Sequence, residues 1–281
     1  MNIEIQILQY LESIRNPILD FFMETLTMLA ENTFILAILT IIYWCLNKKI
    51  AIKMSWIVLF NGVLNGMLKN MINKPRPFEY GIIKPLHLET ATSSAFPSGH
   101  TQTATAFWGS AIIIFQNKKV WILGVLMSII IAVTRLYLGV HWPSDVIGGL
   151  LAGILGVALA NKLLNSNIGF EKLHIIAISG ALILVYLMPV DDDFVNTVSA
   201  LFGLIIGQYF EERYINFNPI AERNIQIKKV IIGLIGLVII YFIFEKLVII
   251  SKITQMCKYI LLMLWITLVA PYFFKKYCMP K

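Results

Sequence analysis

The chain has 281 residues, of which 58% are hydrophobic and only 14% are charged, and its formal net charge is +7. A soluble domain needs about 25% charged residues to cover its exterior, so this composition excludes a soluble globular enzyme and a disordered chain. The basic residues lie in short clusters between apolar blocks, which is typical of a membrane protein and argues against a nucleic-acid partner.

The apolar blocks are roughly 15–20 residues long, which is about the length that crosses the bilayer as a helix. We therefore expect an all-α integral membrane protein, a helical bundle with an N-terminal amphipathic helix. Residues 1–32 supply that helix, because apolar positions recur at helical spacing with acidic residues between them. It is predicted to lie at the membrane interface with a kink near Pro17. A poorly formed first span is the alternative.

Nine apolar segments follow and are predicted to span the membrane. They lie near 33–47, 54–68, 101–116, 120–134, 144–161, 173–189, 194–210, 230–244 and 259–274. Residues 33–164 hold the informative polar residues and form a predicted core, whereas 165–281 are additional transmembrane helices. Two GxxxG spacings, at Gly149/Gly153 and Gly203/Gly207, predict close helix packing.

Lysine residues cluster in every second connection, and the positive-inside rule places those connections and the C-terminus in the cytoplasm. The bases concerned are Lys48, Lys49, Lys53, Lys118, Lys119, Lys162, Lys172, Arg213, Arg223, Lys228, Lys229, Lys275, Lys276 and Lys281. The opposite, extracytoplasmic side should be poor in bases, yet five bases near the motifs lie there and need a second explanation. They are Lys69, Lys74, Arg76, Lys84 and Arg135. The last outer loop, with Lys246, Lys252 and Lys258, also breaks the rule and has no functional explanation.

Lys69 and Arg76 form the first polar stretch on that side. They are seven residues apart, so a continuing helix places them on one face, and Pro75 and Pro77 end the helix around Arg76. Two cations at the mouth of a span form a site for a dianion, with Arg as a planar fork and Lys as a point charge. Anchoring of anionic head groups is the alternative interpretation.

The second stretch, Pro97-Ser98-Gly99-His100, opens the third apolar segment. Free N–H groups at a helix start favour an anion, and Gly99 lets the backbone approach it closely. Ser98 can cap the helix or donate to a phosphate oxygen. The alternative is an ordinary helix cap beside an interfacial histidine.

In the third stretch, Arg135 precedes His141 and Asp145, which stand at i and i+4. A carboxylate within reach of one imidazole nitrogen fixes the tautomer and raises the nucleophilicity of the other nitrogen. Trp142 and Pro143 indicate that a helix begins here. The alternative is a helix-capping Asp145 beside an incidental histidine.

Together the three stretches supply what phosphoryl transfer requires: a cationic cradle, a nucleophile and an acid for the leaving group. A metal site is the competing interpretation, with His100, His141 and Asp145 as ligands and His87 or Glu89 as a further one. Three nearby cations would repel a metal ion, so we expect no metal and no other cofactor.

The order and spacing of these motifs resemble the type 2 phosphatidic acid phosphatase superfamily. The chain carries the family patterns Lys-x6-Arg-Pro from Lys69, Pro-Ser-Gly-His over 97–100 and Thr-Arg-x5-His-x3-Asp from Thr134. Thr134 stands where many members have serine, and the hydroxyl is kept. The superfamily includes lipid phosphate phosphatases, bacterial undecaprenyl diphosphate phosphatases and, more distantly, vanadium haloperoxidases. The resemblance covers roughly residues 33–161 and leaves the role of the later spans open.

The resemblance implies a role for each matching residue. His141 attacks phosphorus and forms a phosphohistidine, and Asp145 orients it. His100 protonates the leaving oxygen and then activates water. Phosphate-binding residues come from all three motifs: Lys69, Arg76, Ser98, Gly99 and Arg135.

We therefore expect a multi-pass lipid phosphatase of the cell (inner) membrane, with an extracytoplasmic site that takes a lipid phosphate or diphosphate from the outer leaflet. Undecaprenyl diphosphate is favoured for a bacterial source. Phosphatidic acid, phosphatidylglycerol phosphate and sphingoid phosphates are alternatives, because the motifs recognise phosphate and not the tail.

Two other classes of protein stay open. A non-catalytic binder or transporter of lipid phosphates is disfavoured by the intact His100, His141 and Asp145. A haloperoxidase-like vanadate enzyme is disfavoured by the apolar spans, because such relatives are soluble.

Overall fold

A computed structural model describes residues 3–166, 170–187, 191–246 and 251–278, and every regular element in these ranges is helical. The helices are α1 Ile3–Ser13, α2 Pro17–Met28, α3 Asn32–Cys45, α4 Lys48–Ile72, α5 Gly99–Phe115, α6 Lys118–Tyr137, α7 Pro143–Leu164, α8 Phe170–Leu187, α9 Asp192–Phe210, α10 Arg223–Lys246, α11 Lys252–Leu264 and α12 Ala270–Phe273. Short 3-10 turns lie at Pro77–Tyr80 and Leu88–Thr90, and π turns at Glu211–Ile215, Trp265–Val269 and Phe274–Cys278. The all-α prediction is confirmed for the described residues.

Five helical runs among the described residues are long and apolar enough to cross a membrane. They are Lys48–Tyr80, Lys118–Tyr137, Pro143–Leu164, Arg223–Lys246 and Lys252–Cys278. A sixth candidate is the pair formed by α2 and α3, which meet at 50° as a broken span or a re-entrant loop. The multi-span character is thus confirmed.

The predicted total of nine spans is not confirmed. A described helix covers each of the nine predicted segments, but several of these helices fall short of a span. For example, α3 has 14 residues and α5 has 17, whereas hydrocarbon takes roughly 20. Residues 188 and 189 of the sixth segment, and Lys281, lie outside the described residues.

The predicted kink near Pro17 is a complete break between two helices. Asn16 has extended backbone, and its side chain accepts a hydrogen bond from the N–H of Leu19 while Pro17 takes the first helical position. Asn16 and Pro17 are thus the N-cap and N1 residues of α2. Whether α1 and α2 lie at the membrane interface stays a prediction.

The chain forms two compact units. The first comprises 1–36 and 60–166, and the second comprises 37–59 and 167–281, in both cases as far as the residues are described. All residues of the three motifs belong to the first unit. The limits at residues 32 and 164 that we derived from sequence stay predictions.

In the first unit, α5 packs against both α6 and α7, and glycines on α7 permit the contact. A Cβ atom at Gly149 would lie 2.8 Å from the carbonyl oxygen of Ser98, and one at Gly153 would lie 2.6 Å from Cβ of Thr105. Both separations are too short for real atoms, so the helices approach as the GxxxG spacing predicts.

In the second unit, α9 packs against α11, again through glycines. A Cβ at Gly203 would lie 2.7 Å from the carbonyl oxygen of Ile260, and Gly207 faces Thr267 in the same way. Lys48 contacts the π turn that follows α9, where its Nζ lies 3.1 Å from a carboxylate oxygen of Glu211. This unit holds none of the predicted site residues.

Candidate active site

The two cations of the first motif are buried and share one partner. Lys69 lies in the last turn of α4, and its Nζ donates to the hydroxyl of Ser93 at 2.7 Å and to the carbonyl of Ser94 at 2.9 Å. Nε of Arg76 donates to the carbonyl of Ser93 at 2.8 Å. Ser93 therefore bridges the two cations and holds both side chains at the same place.

Arg76 also reaches the third motif. Its Nη1 donates to the carbonyl of Val140 at 2.9 Å and lies 3.4 Å from Nε2 of His141. Its backbone N–H donates to the carboxylate of Glu79 at 2.8 Å, which fixes the turn that begins at Pro77. The helix predicted to continue to Pro75 ends earlier, at Ile72, so the turn and not the helix directs this guanidinium.

The second motif places a helix start beside the third motif. Ser98 is the N-cap residue of α5, but its side chain makes no capping hydrogen bond. Its hydroxyl instead accepts from that of Thr101 at 3.0 Å, and its backbone N–H donates to the carbonyl of Asp145 at 3.0 Å. An ordinary cap is thus not what Ser98 provides, and its N–H joins the second motif to the third.

A chain of buried and half-buried amides supports this helix start from within the bundle. Nδ2 of Asn65, on α4, donates to the carbonyl of Pro97 at 3.2 Å and to Oε1 of Gln102 at 2.8 Å. Nε2 of Gln102 donates to the carbonyl of Asn61 at 3.0 Å. This amide ladder (Asn61, Asn65 and Gln102) fixes α5, and with it Gly99, against α4.

Arg135, the third cation, is fully buried in the last turn of α6. Its Nη1 donates to the hydroxyl of Thr27 on α2 at 3.0 Å, and its Nη2 donates to the hydroxyl of Thr90 at 3.2 Å. The N-terminal helices are therefore part of the site's wall, which the sequence did not predict.

His141 and Asp145 are also buried and face one another. Nδ1 of His141 lies 3.6 Å from Oδ2 of Asp145, which itself accepts the backbone N–H of Trp142 at 2.8 Å. Asp145 is thus a helix cap as well as the neighbour of an imidazole. Its other oxygen, Oδ1, accepts from Nζ of Lys74 at 2.7 Å.

The site favours the neutral form of His141. Burial first, and then the nearby cations of the first and third motifs, hold the pKa of His141 well below its ordinary value. A neutral imidazole keeps a free lone pair, which is the state that a nucleophile requires.

Three buried nitrogen atoms of the site have no hydrogen-bond partner within the described chain. They are Nε2 of His100, Nε of Arg135 and Nδ1 of His141. Electrostatic interactions also connect His100 with Arg135, His141 and Lys69. Unsatisfied buried polar atoms are rare in folded proteins, and these three belong to motif residues around which the sequence predicts a phosphate.

The residues of the competing metal interpretation are not held together. Nε2 of His87 lies 3.2 Å from Glu31 and its Nδ1 lies 3.6 Å from Glu89. Within the described ranges, no group of three or more His, Cys, Asp and Glu residues has an arrangement suited to a metal ion. That the protein works without a metal stays a prediction.

Sequence reasoning missed several residues that shape the site. The amides of Asn65 and Gln102 stand out within apolar segments, where polar residues are costly, and this signal could have identified them. Lys74 stood out by its position on the base-poor side but received no role. Thr27, Thr90 and Ser93 carry no signal in the sequence.

Comparison with known proteins gives two family matches. Residues 50–168 match the PAP2 superfamily, and residues 195–279 match the transmembrane extension of PAP2 superfamily phosphatases. The first match spans all three motifs. The second covers α9 to the C-terminal helices, the part for which the motifs gave no role.

Similar proteins carry different names. The lipid A 1-phosphatase of Rhizobium johnstonii is 35% identical over 38% of this chain, and the chain spans about half (48%) of that relative's length. The undecaprenyl-diphosphatase BcrC of Bacillus subtilis is 31% identical over 50% of this chain and 72% of its own length. A crystal structure of a PAP2-type phosphatidylglycerolphosphate phosphatase from B. subtilis has a TM-score of 0.51 and 25% identity, over 59% of this chain and 87% of that one.

Proposed function

The chain belongs to the PAP2 superfamily, and from that membership we propose that it hydrolyses the phosphate group of a membrane lipid. The observation that carries the proposal is the pair of unpartnered buried nitrogens on His100 and Arg135. Both residues interact electrostatically with His141, whose Nε2 lies 3.4 Å from Nη1 of Arg76. A phosphate bound there would satisfy donors that the protein leaves open.

The first chemical step would transfer the phosphoryl group to His141. Its Nε2 forms a bond to phosphorus while the bond from phosphorus to the leaving lipid oxygen breaks, and His100 gives that oxygen a proton. Positive charge then develops on the imidazole, and the carboxylate of Asp145, 3.6 Å from Nδ1, stabilises it. The intermediate in this scheme is a phosphohistidine.

The second step would hydrolyse this intermediate. His100, now neutral, takes a proton from a water molecule whose oxygen attacks phosphorus, and the bond from phosphorus to His141 breaks. His100 thus serves as acid and then as base. Phosphate leaves, and both histidines return to their starting states.

The charge that builds up on phosphorus needs a cradle of cations. Lys69, Arg76 and Arg135 would supply it, each already held by a neutral partner and so oriented in advance. The hydroxyl of Ser98 and the N–H of Gly99, at the positive end of α5, would complete the cradle.

We propose an extracytoplasmic site in the cell (inner) membrane, with the cytoplasmic C-terminus that the lysine distribution indicates. The substrate would enter from the outer leaflet with its tail in hydrocarbon. Undecaprenyl diphosphate is the substrate that we propose first. Lipid A, undecaprenyl diphosphate and phosphatidylglycerol phosphate all appear in the names of similar proteins, so phosphatidic, phosphatidylglycerol and sphingoid phosphates belong in the test.

The test is a turnover panel on the purified protein in detergent or liposomes. Undecaprenyl diphosphate, phosphatidylglycerol phosphate, phosphatidate and sphingosine phosphate are compared by phosphate release, with the His141→Ala variant as the blank. We expect release from at least one lipid by the wild-type protein and none above background by the variant. Binding of a lipid phosphate without release by the wild-type protein would contradict the proposal and support a non-catalytic binder.

A further inference from the structure

We propose that Lys74 is a positioning residue that holds the carboxylate of Asp145 in place behind His141. This inference rests on the proposed phosphatase function. Lys74 belongs to the six variable residues between Lys69 and Arg76, so the motif itself assigns it no role. Its position on the base-poor side of the chain was likewise unexplained.

The side chain of Lys74 is directed at the start of α7. Its Nζ donates to Oδ1 of Asp145 and to the hydroxyl of Ser144, both at 2.7 Å. The same ammonium lies 5.7 Å from the ring centre of Trp142, within cation–π range. Three contacts, to Trp142, Ser144 and Asp145, therefore fix the ammonium group of Lys74 beside the carboxylate.

The backbone of Lys74 is fixed as well. Its N–H donates to the hydroxyl of Ser94 at 3.2 Å, and its carbonyl accepts from the N–H of Ala95 at 2.8 Å. The segment that carries Lys69 to Arg76 is thus tied at its middle to the loop that precedes the second motif. Because the backbone of Lys74 is already fixed, its side chain loses less conformational entropy when the ammonium group binds Asp145.

The two oxygens of Asp145 have separate tasks. Oδ2 accepts the N–H of Trp142 and faces His141, whereas Oδ1 accepts the Lys74 ammonium. The carboxylate is 0% exposed, and a buried charge is costly unless a partner of opposite charge binds it. Lys74 supplies this partner on the oxygen that does not face the imidazole, and so fixes the rotation of the whole group.

The division of labour among the three cations of this segment follows from their contacts. Lys69 and Arg76 converge on Ser93, on the side of His141 Nε2. Lys74 bonds to Asp145, on the side of Nδ1. Two cations of the segment therefore serve the phosphate, and the third serves the group that orients the nucleophile.

The test compares purified full-length Lys74→Met, Lys74→Arg and Lys84→Met on the best lipid of the panel. We expect Lys74→Met to lower kcat by roughly 10- to 100-fold, as removal of an orienting partner behind a reactive group does elsewhere, with KM changed by less than about threefold. Lys74→Arg should restore most of kcat. Lys84 is the matched control, because it is an exposed lysine of the same loop whose backbone, at both N–H and carbonyl, makes hydrogen bonds to Glu12 and Arg15. Lys84→Met should match wild type.

A double-mutant cycle tests whether Lys74 acts through Asp145 or supports the structure independently of it. Single-turnover rates, followed for hours so that slow reactions are measured, are compared for Lys74→Met alone and in an Asp145→Asn background. If Lys74 acts through Asp145, its loss should cost less than about threefold in that background. An equal fold-loss in both backgrounds would overturn the inference.

Other outcomes are equally decisive. A wild-type-like kcat for Lys74→Met, or a change confined to KM, would overturn this inference and leave the proposed function standing. A wild-type protein that hydrolyses no lipid would overturn both. If Lys74→Met unfolds on purification, Lys74→Gln, which keeps the hydrogen bond to Ser144 without the charge, takes its place under the same criteria.

Discussion

Nδ1 of His141 lies 3.6 Å from Oδ2 of Asp145, slightly beyond hydrogen-bond distance. The same oxygen caps α7 through the N–H of Trp142 at 2.8 Å. One carboxylate thus caps the helix and also faces the imidazole, and its role in orienting His141 stays a prediction. A small rotation would bring it within bonding distance when the imidazole becomes charged.

His141→Ala should abolish turnover in a protein that still folds. The variant removes the only side chain that we propose to bond to phosphorus, and loss of a covalent nucleophile costs several orders of magnitude in rate. Phosphate release and thermal melting of the purified protein measure the two properties side by side. Wild-type-like turnover in the folded variant would refute the covalent scheme.

Asp145→Asn should be severe but should retain more activity than His141→Ala. The amide can still accept from Trp142 and occupy the same space, but it cannot stabilise the charged imidazole. The comparable change in a serine-protease triad lowers turnover by about 10⁴. Steady-state kcat measured on the same lipid tests this, and a kcat equal to wild type would leave Asp145 with the capping role alone.

His141 should make the protein less stable in mild acid. The pKa of His141 is held well below its ordinary value, chiefly by burial. Below about pH 6.5 this histidine therefore binds a proton in the unfolded chain but not in the folded chain. The stability loss therefore sets in as the pH falls through about 6.5. Melting of wild type and His141→Gln from pH 7.5 to 5 measures it.

The difference in melting temperature between His141→Gln and wild type should change with pH in one direction only. Glutamine does not titrate, so the melting temperature of His141→Gln relative to wild type should rise on acidification. A difference independent of pH across this range would show that His141 ionises as freely when folded as when unfolded, and would remove the argument for a neutral nucleophile.

Activity should survive removal of divalent metals and should be inhibited by vanadate. Lys69, Arg76 and Arg135 supply the positive charge that a metal ion would otherwise bring, and vanadate resembles the phosphoryl group in its five-coordinate state. Rates before and after dialysis against EDTA test the first point. Activity that disappears with the chelator and returns with zinc or magnesium would contradict it.

Cysteine labelling on intact cells should report an extracytoplasmic site. In a background without Cys45, Cys257 and Cys278, a cysteine at the exposed Tyr80, next to the first motif, should react with a membrane-impermeant thiol reagent. One at the exposed Asn117 should react only after permeabilisation. The reverse pattern would place the site in the cytoplasm.

Local sequence signals predicted the positions of the helices well, whereas the roles of the site residues stay predictions. Apolar runs predicted the positions of α3 to α11. Pro17 marked the break between α1 and α2, because proline removes a donor and crowds the preceding turn, whereas α4 ends at Ile72, before Pro75. The motif residues themselves were identifiable because their chemistry is unusual beside apolar segments. The convergence of Arg76 on His141 followed from the resemblance of the motifs.

The contacts that surround these residues could not be predicted. Arg135 bonds to Thr27, 108 residues away, and Lys69 bonds to Ser93. Threonine and serine are common throughout the sequence, so the sequence does not indicate which hydroxyl will bind a given buried cation. Only the folded chain shows this. The span count had a different limit, because α5 has only 17 residues and carries small polar residues, such as Thr105 and Ser110, whose hydroxyls bond to carbonyls of the same helix.

The amide ladder of Asn61, Asn65 and Gln102 bears on how the chain enters the bilayer. An isolated helix with the composition of α5 would expose Gln102 to hydrocarbon at a cost of several kcal/mol. On α4 the acceptors and donors that it needs are synthesised first. Because amides of α4 satisfy Gln102, we expect α5 to insert as a pair with α4. Loss of the ladder should then lower the yield of inserted protein before it lowers the turnover of the protein that does insert.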